Sequence, residues 1–179
     1  MSLHAVEYTI APQASIETMI EECIADVLRT ITALSPTHVV LAGCSAGAHL
    51  VAMCARHPEV SPLLSGVVLL SGIYDVRPLV VTPTNDPLGL DDQRAATISP
   101  QLLPVDVFPD AALLAVGEHE SSEFIRQNTD YARYLMAAGT HVDCAVVSNR
   151  DHFDLPYDLL RRGTVVGDWT LATLGRNAS

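Results

Sequence analysis

A chain of 179 residues fits one domain and leaves little room for two. About half of it is apolar (49%), enough to build a true core, which argues against a disordered chain. The formal net charge is -11 and all ten basic residues are arginine, so no basic surface is available to neutralise phosphates and nucleic-acid binding is set aside.

Apolar runs and turn signals then alternate along the chain. Residues 4–9 read as a short strand closed by the Ala11-Pro12 turn. Ser15 is placed to cap a helix in which Ile16, Ile20, Ile24, Val27, Leu28 and Ile31 recur at helical spacing. Residues 37–42 form a β-branched run, the mark of a buried strand, and residues 46–56 an alanine-rich helix closed by His57-Pro58. Residues 66–70 are a second buried strand. Residues 72–104 carry many of the prolines and little periodicity; they predict a long excursion with short helices, one of them near residues 91–97. Residues 111–116 are a further apolar strand, 121–138 a helix stopped by Gly139, 142–147 another strand, and 164–174 a last helix. Strands alternating with helices predict a parallel sheet covered on both faces, with any site at the carboxyl ends of the strands.

Cys23, Cys44, Cys54 and Cys144 have the spacing of neither a zinc ribbon nor a CxxC redox pair, and they read as reduced thiols of a cytoplasmic protein. The seven histidines contain no HExxH pattern, so neither a metal nor another cofactor is expected. The N-terminus lacks the pattern of a signal peptide, and no apolar run approaches membrane-spanning length. The partner these features leave is a small-molecule substrate.

Gly43-Cys44-Ser45-Ala46-Gly47 carries the chemistry. It fits G-x-S-x-G, and it follows a predicted strand and opens a predicted helix, the context of a nucleophile elbow. A serine hydroxyl is a poor nucleophile until it is presented and deprotonated. A strained strand-to-helix turn presents it, and small flanking residues let that turn close. The N–H of Ala46 would then point at the developing oxyanion, at the start of the helix.

In this fold the chain order is Ser, acid, His. The base should therefore follow the last strand, where Asn149-Arg150-Asp151-His152-Phe153-Asp154 places His152 within reach of Ser45. The bland alternative is a surface-loop histidine. His4, His38 and His57 lie at element ends and read as structural; His49, on the helix after the elbow, reads as a packing or capping residue. The acid should follow residues 111–116, in Gly117-Glu118-His119-Glu120-Ser121-Ser122-Glu123. The spacing glycine, two residues, acid selects Glu120. Glu118 is its main rival, and Glu123 belongs to the following helix. The acid orients the histidine and stabilises its imidazolium.

Several runs resemble the kynurenine formamidase-like (arylformamidase) branch of α/β-hydrolases. They are Gly43-Cys44-Ser45-Ala46-Gly47-Ala48-His49-Leu50, Ser71-Gly72-Ile73-Tyr74-Asp75-Val76-Arg77-Pro78-Leu79, Asn85-Asp86-Pro87-Leu88-Gly89-Leu90-Asp91, Gly117-Glu118-His119-Glu120 and Asp151-His152-Phe153. Tyr8-Thr9-Ile10-Ala11-Pro12 looks like a stretch in the middle of that family. The resemblance covers nearly the whole chain. It implies an α/β-hydrolase-like parallel sheet flanked by helices and hydrolysis of an N-formyl aryl amide or a small carboxylic ester; N-formylkynurenine is the best-known substrate of the family. Cys44 stands where histidine is common in the family, a departure that bears on substrate preference.

The resemblance also implies an N-terminal portion with a His-Gly-Gly-x-Trp loop, the source of a second oxyanion donor, and this sequence contains no such loop. The expectation is therefore an N-terminally truncated sheet. The strand at residues 4–9 loses its usual neighbour, and should be displaced, pair with residues 37–42, or pair with a second copy of the chain. Two functions follow as expectations. One is a serine hydrolase weakened by the missing donor. The other is a catalytically silent remnant that forms a homo-oligomer through an exposed sheet edge.

Overall fold

The computed structural model describes residues 2–175. Ser15 caps the first helix, α1 (Ile16–Leu34), its hydroxyl accepting the Thr18 N–H at 3.2 Å. The helix closes where Ser35 turns left-handed and returns its N–H to the Ile31 carbonyl at 2.8 Å. The apolar spacing that predicts α1 also sets its buried stripe, which includes Met19, Ile20, Cys23 and Val27.

Four strands follow: β1 (Val40–Cys44), β2 (Gly66–Leu70), β3 (Ala111–Gly117) and β4 (His141–Val147). All pair in parallel and lie in the order β1-β2-β3-β4. Helices carry the crossovers: α2 (Ala46–Cys54) between β1 and β2, α3 (Asp92–Thr97) within the long excursion between β2 and β3, and α4 (Ser122–Ala137) between β3 and β4. The last helix is α5 (Val165–Gly175).

The central strands β2 and β3 are buried at every position, which is why they read as unbroken apolar runs rather than as alternations. Their side chains divide between two cores. Val67, Leu69, Ala112 and Leu114 pack with Val27 of α1, Ala48 and Ala52 of α2, and Tyr131 and Leu135 of α4. Val68, Leu70, Leu113 and Ala115 pack against Leu155 and Val166 on the opposite face. Each such Val or Leu contributes about 1.5–3 kcal/mol by leaving water, an upper estimate.

The expected strand over residues 4–9 does not form. Of its three anticipated fates, displacement is the one observed. The segment crosses α1 instead: His4 Nε2 lies 2.9 Å from Asp26 Oδ2, and the Thr9 N–H donates to Glu22 Oε2 at 2.6 Å. Val6 and Tyr8 pack on the α1/α2 cluster. With no strand beside it to complete a ladder, its Thr9 N–H is satisfied by a side chain on the helix. The first sheet strand also begins later than the β-branched run suggests, at Val40, because pairing with β2 fixes its limits. The outer edge of β1 has no strand neighbour among the described residues. A groove runs beside it, lined by Val6, Ile31 and Leu34 on one side and Leu159, Leu160 and Leu174 on the other.

The two glycines of the elbow differ in what they tolerate. A Cβ on Gly43 would lie 2.3 Å from the Gly47 carbonyl oxygen and 2.7 Å from the Ala48 nitrogen, whereas one on Gly47 would meet nothing within 4 Å. Only the first glycine is required sterically, so the expectation that small residues on both sides let the turn close applies to Gly43 alone. Gly43→Ala should lower unfolding stability by about 1–3 kcal/mol through forced backbone shifts. Gly47→Ala, inside α2, should be neutral or raise it by up to ~1 kcal/mol. Denaturant midpoints of the two variants measure the contrast.

Candidate active site

The carboxyl end of β1 leads directly into the strained turn. Ser45 sits at φ 56, ψ -121 between the last residue of β1 and the first of α2. A non-glycine residue in such a region costs about 1–3 kcal/mol, so the surroundings must hold it there. The Ser45 N–H donates to the Leu70 carbonyl of β2 at 2.9 Å. The Ser45 carbonyl accepts the N–H groups of Ala48 and His49 at 3.1 and 3.2 Å, so α2 starts at once. The N–H groups of Ala46 and Gly47 open the helix and meet no acceptor among the described residues. His49 is buried and its Nε2 lies 2.7 Å from the Ile98 carbonyl. Burial pushes its pKa down, so it donates there as a neutral ring and ties α2 to the excursion.

The carboxyl end of β3 leads into the loop that carries Glu120, the expected acid. Glu120 is folded back so that its Oε1 accepts the Gly117 N–H at 2.8 Å, which is the physical content of the glycine-x-x-acid spacing. The Ser71 hydroxyl donates to the same oxygen at 2.5 Å. Glu120 Oε2 lies 2.8 Å from His152 Nδ1. The carboxylate is thus closed off, with 1% of the side chain exposed, while the imidazole keeps 25% exposure. Glu118 turns away and accepts the Asn149 N–H at 3.0 Å. Glu123 lies in the first turn of α4 and pairs with Arg126.

The histidine loop is pinned on both sides of His152. Arg150 forms a two-pronged ion pair with the buried Asp158 at 2.7 and 2.9 Å. Asp151 Oδ1 accepts the N–H groups of Phe153 and Asp154, and Asp154 Oδ1 accepts that of Asp151 at 2.7 Å. Gly117 lets the loop approach: a Cβ there would lie 2.4 Å from the Arg150 carbonyl oxygen. The Phe124 ring centre is 4.7 Å from that of the imidazole, and Phe153 stands edge-on at 5.6 Å. The Cys44 thiol, one residue before Ser45, lies 3.9 Å from the His152 carbonyl and brings the loop over the elbow. The Ser45 hydroxyl makes no hydrogen bond among the described residues. Catalytic contacts are commonly loose without substrate and tighten when it binds.

Sequence reasoning passed over three of these residues. Ser71 follows the carboxyl end of β2, and that position alone was a signal. Gln127 holds the start of the excursion by accepting the Tyr74 and Asp75 N–H groups at 2.7 and 2.9 Å. Phe124, within the predicted helix at residues 121–138, lies half-buried against the imidazole.

A sequence profile of the α/β-hydrolase fold matches residues 2–154. The chain is 32% identical to a kynurenine formamidase of Danio rerio over 97% of its own length and 62% of that protein, and 34% identical to a kynurenine formamidase of Salmo salar over 95% and 60%. It therefore spans about three-fifths of the length of these relatives. In structure it is similar to a thioesterase candidate from Silicibacter sp., with a TM-score of 0.80 at 22% identity, over 90% of this chain and 60% of that one. It is also similar to a hyperthermophilic esterase of the archaeon Pyrobaculum calidifontis, with a TM-score of 0.73 at 18% identity, over 97% and 66%.

The thiol beside Ser45 is held in its protonated form. Burial first, and the Glu120 carboxylate second, push the Cys44 thiol up to about 11. It stays protonated at neutral pH, and the thiolate appears only as the pH nears that value. Alkylation of Cys44 by iodoacetamide, followed by peptide mass spectrometry, should be slow at neutral pH and should rise steeply in alkali.

Proposed function

The chain belongs to the α/β-hydrolase fold family, and we propose that it is a serine hydrolase that cleaves an N-formyl aryl amide or a small carboxylic ester through Ser45, Glu120 and His152. The observation that carries this reading is the 2.8 Å contact of Glu120 with His152 Nδ1, made over a strained serine at the same end of the sheet. The kinship with kynurenine formamidases supports the formamide side of the substrate class, and the likeness to esterase structures supports the fold.

In this mechanism His152 Nε2 takes the Ser45 hydroxyl proton as Oγ attacks the carbonyl carbon. Glu120 holds the ring in the tautomer that leaves Nε2 free and stabilises the imidazolium that forms. The Ala46 N–H, at the positive end of α2, donates to the oxyanion. The tetrahedral intermediate collapses, and the amine or alcohol departs with the proton from Nε2. Water, deprotonated by the same nitrogen, then attacks the acyl-serine and releases formate or the carboxylate. The four free thiols fit a reducing compartment, and we place the protein in the cytoplasm on that ground.

A fluorophosphonate probe should label wild-type protein at Ser45 and leave Ser45→Ala unlabelled. Glu120→Gln should reduce turnover of an N-formyl aryl amide or an aryl ester by on the order of 100- to 10,000-fold. Glu118→Gln should leave turnover nearly unchanged. Labelling that survives Ser45→Ala would refute the nucleophile, and the reverse ranking of the two glutamates would reassign the acid.

The second reading is self-association, with or without turnover. The observation favouring it is the edge of β1, which has no strand neighbour among the described residues, and the mainly apolar groove beside it. An edge of this kind pairs readily with another strand. Sedimentation should show a dimer or larger species. Ala42→Lys, at an exposed position of β1, should shift it to monomer; a wild-type monomer would exclude this reading.

A further inference from the structure

We propose that Ser71 is the positioning residue that enables a glutamate to serve as the acid partner of His152. The inference rests on the role given to His152 above and goes beyond it by naming what aims the carboxylate. Glutamate has one more rotatable bond than aspartate, so a carboxylate on its tip samples more positions unless it is anchored at a second point. Ser71 provides that anchor. It follows β2 directly, is fully buried, and its N–H donates to the Ala115 carbonyl of β3 at 2.8 Å. The backbone is thereby fixed between the two central strands, and the hydroxyl reaches Glu120 Oε1 at 2.5 Å.

Gly117 donates its N–H to the same oxygen at 2.8 Å, which leaves Oε2 for the imidazole. Two donors on one oxygen and one on the other determine both the place and the plane of the carboxylate. The residue type supports the assignment. Ser71 has φ 49, a left-handed conformation that glycine adopts without strain. A serine here adds a hydroxyl, and the bond that hydroxyl makes is to Glu120. Ser71 lies behind the carboxylate and touches no reacting atom; it acts through Glu120.

The experiment compares Ser71→Ala and Ser71→Gly with wild type. Ser71→Gly removes the hydroxyl while easing the backbone, so a normal melting curve for it separates positioning from folding. Both variants should lose turnover, by up to about 100-fold if the carboxylate drifts by an ångström, with KM little changed. In a Glu120→Gln background, Ser71→Ala should bring no further loss in the rate of fluorophosphonate labelling. A readout independent of turnover is the low-field proton NMR signal of the imidazole N–H facing Glu120, which should be sharp in wild type and broadened or shifted in both variants. An unchanged signal with full turnover would overturn the proposal. So would an equal fractional loss in the Glu120→Gln background, which would mark Ser71 as merely structural. If wild type is not labelled at Ser45, the hydrolase reading falls, while the NMR comparison still decides whether Ser71 holds the carboxylate.

Discussion

The strained backbone of Ser45 is the constraint on which the site depends. At φ 56 the residue cannot hold its conformation alone, and three features of the fold impose it. The register of β1 against β2, which pairs Cys44 with Leu70, brings the Ser45 N–H onto the Leu70 carbonyl. The missing Cβ of Gly43 lets the first turn of α2 fold back to within van der Waals range of the strand. The immediate start of α2 leaves the Ala46 and Gly47 N–H groups facing outward at the helix's positive end. Strain, register and free donors thus arise from one turn. Each requires a rigid β2 behind it, and β2 is buried along its whole length.

The second requirement is electrostatic. A carboxyl group with 1% of its side chain exposed must find its hydrogen-bond donors inside the protein. Glu120 collects them from three places: the end of β3 at Gly117, the residue after β2 at Ser71, and the loop after β4 at His152. Glu120 therefore ties the carboxyl ends of three neighbouring strands together. His152 in turn is carried by a loop that its own ion pair, Arg150 with Asp158, locks to the chain beyond it. Breaking that pair would leave the buried Asp158 with only the more distant Arg161, at 3.9 Å, so the loop that carries His152 is also a point of stability.

How much of this was legible in the sequence depended on the range of the interactions. The elbow was legible because its parts, Gly43 to Gly47, are contiguous. The place of Glu120 at the end of β3 was legible because its hydrogen bond to Gly117 closes over three residues. The four parallel strands were legible because β2 and β3 are continuous apolar runs. Ser71 was missed because its partner lies 49 residues away. Gln127 was missed for a similar reason, its hydrogen bonds to Tyr74 and Asp75 crossing 53 and 52 residues. Residues 4–9 misled because strand propensity is local while a strand needs a neighbour. Their polar groups found Glu22 and Asp26 on α1, and Val6 and Tyr8 pack against the helix.

The two edges of the sheet carry different consequences. β4 is an edge with a polar guard: Asp143 points outward and accepts the Trp169 N–H at 2.7 Å. β1 has no charged side chain along Val40–Cys44, and the groove beside it is lined mainly by apolar residues, with His4, His38, Thr30 and Thr170 among them. A strand laid there would have to be apolar on both sides, like β2 and β3, rather than alternating. β1 is also the strand that ends in Ser45. Its inner edge already anchors the elbow through Leu70, and its outer edge has no strand neighbour among the described residues, so within them the strained turn is braced from one side. Any chain that paired with β1 would brace it from the other. It would lower the freedom of the strand to relax the φ of Ser45 and so keep the hydroxyl presented. Closure of the sheet and presentation of the serine are in this sense one problem, because both are carried by the same five residues of β1.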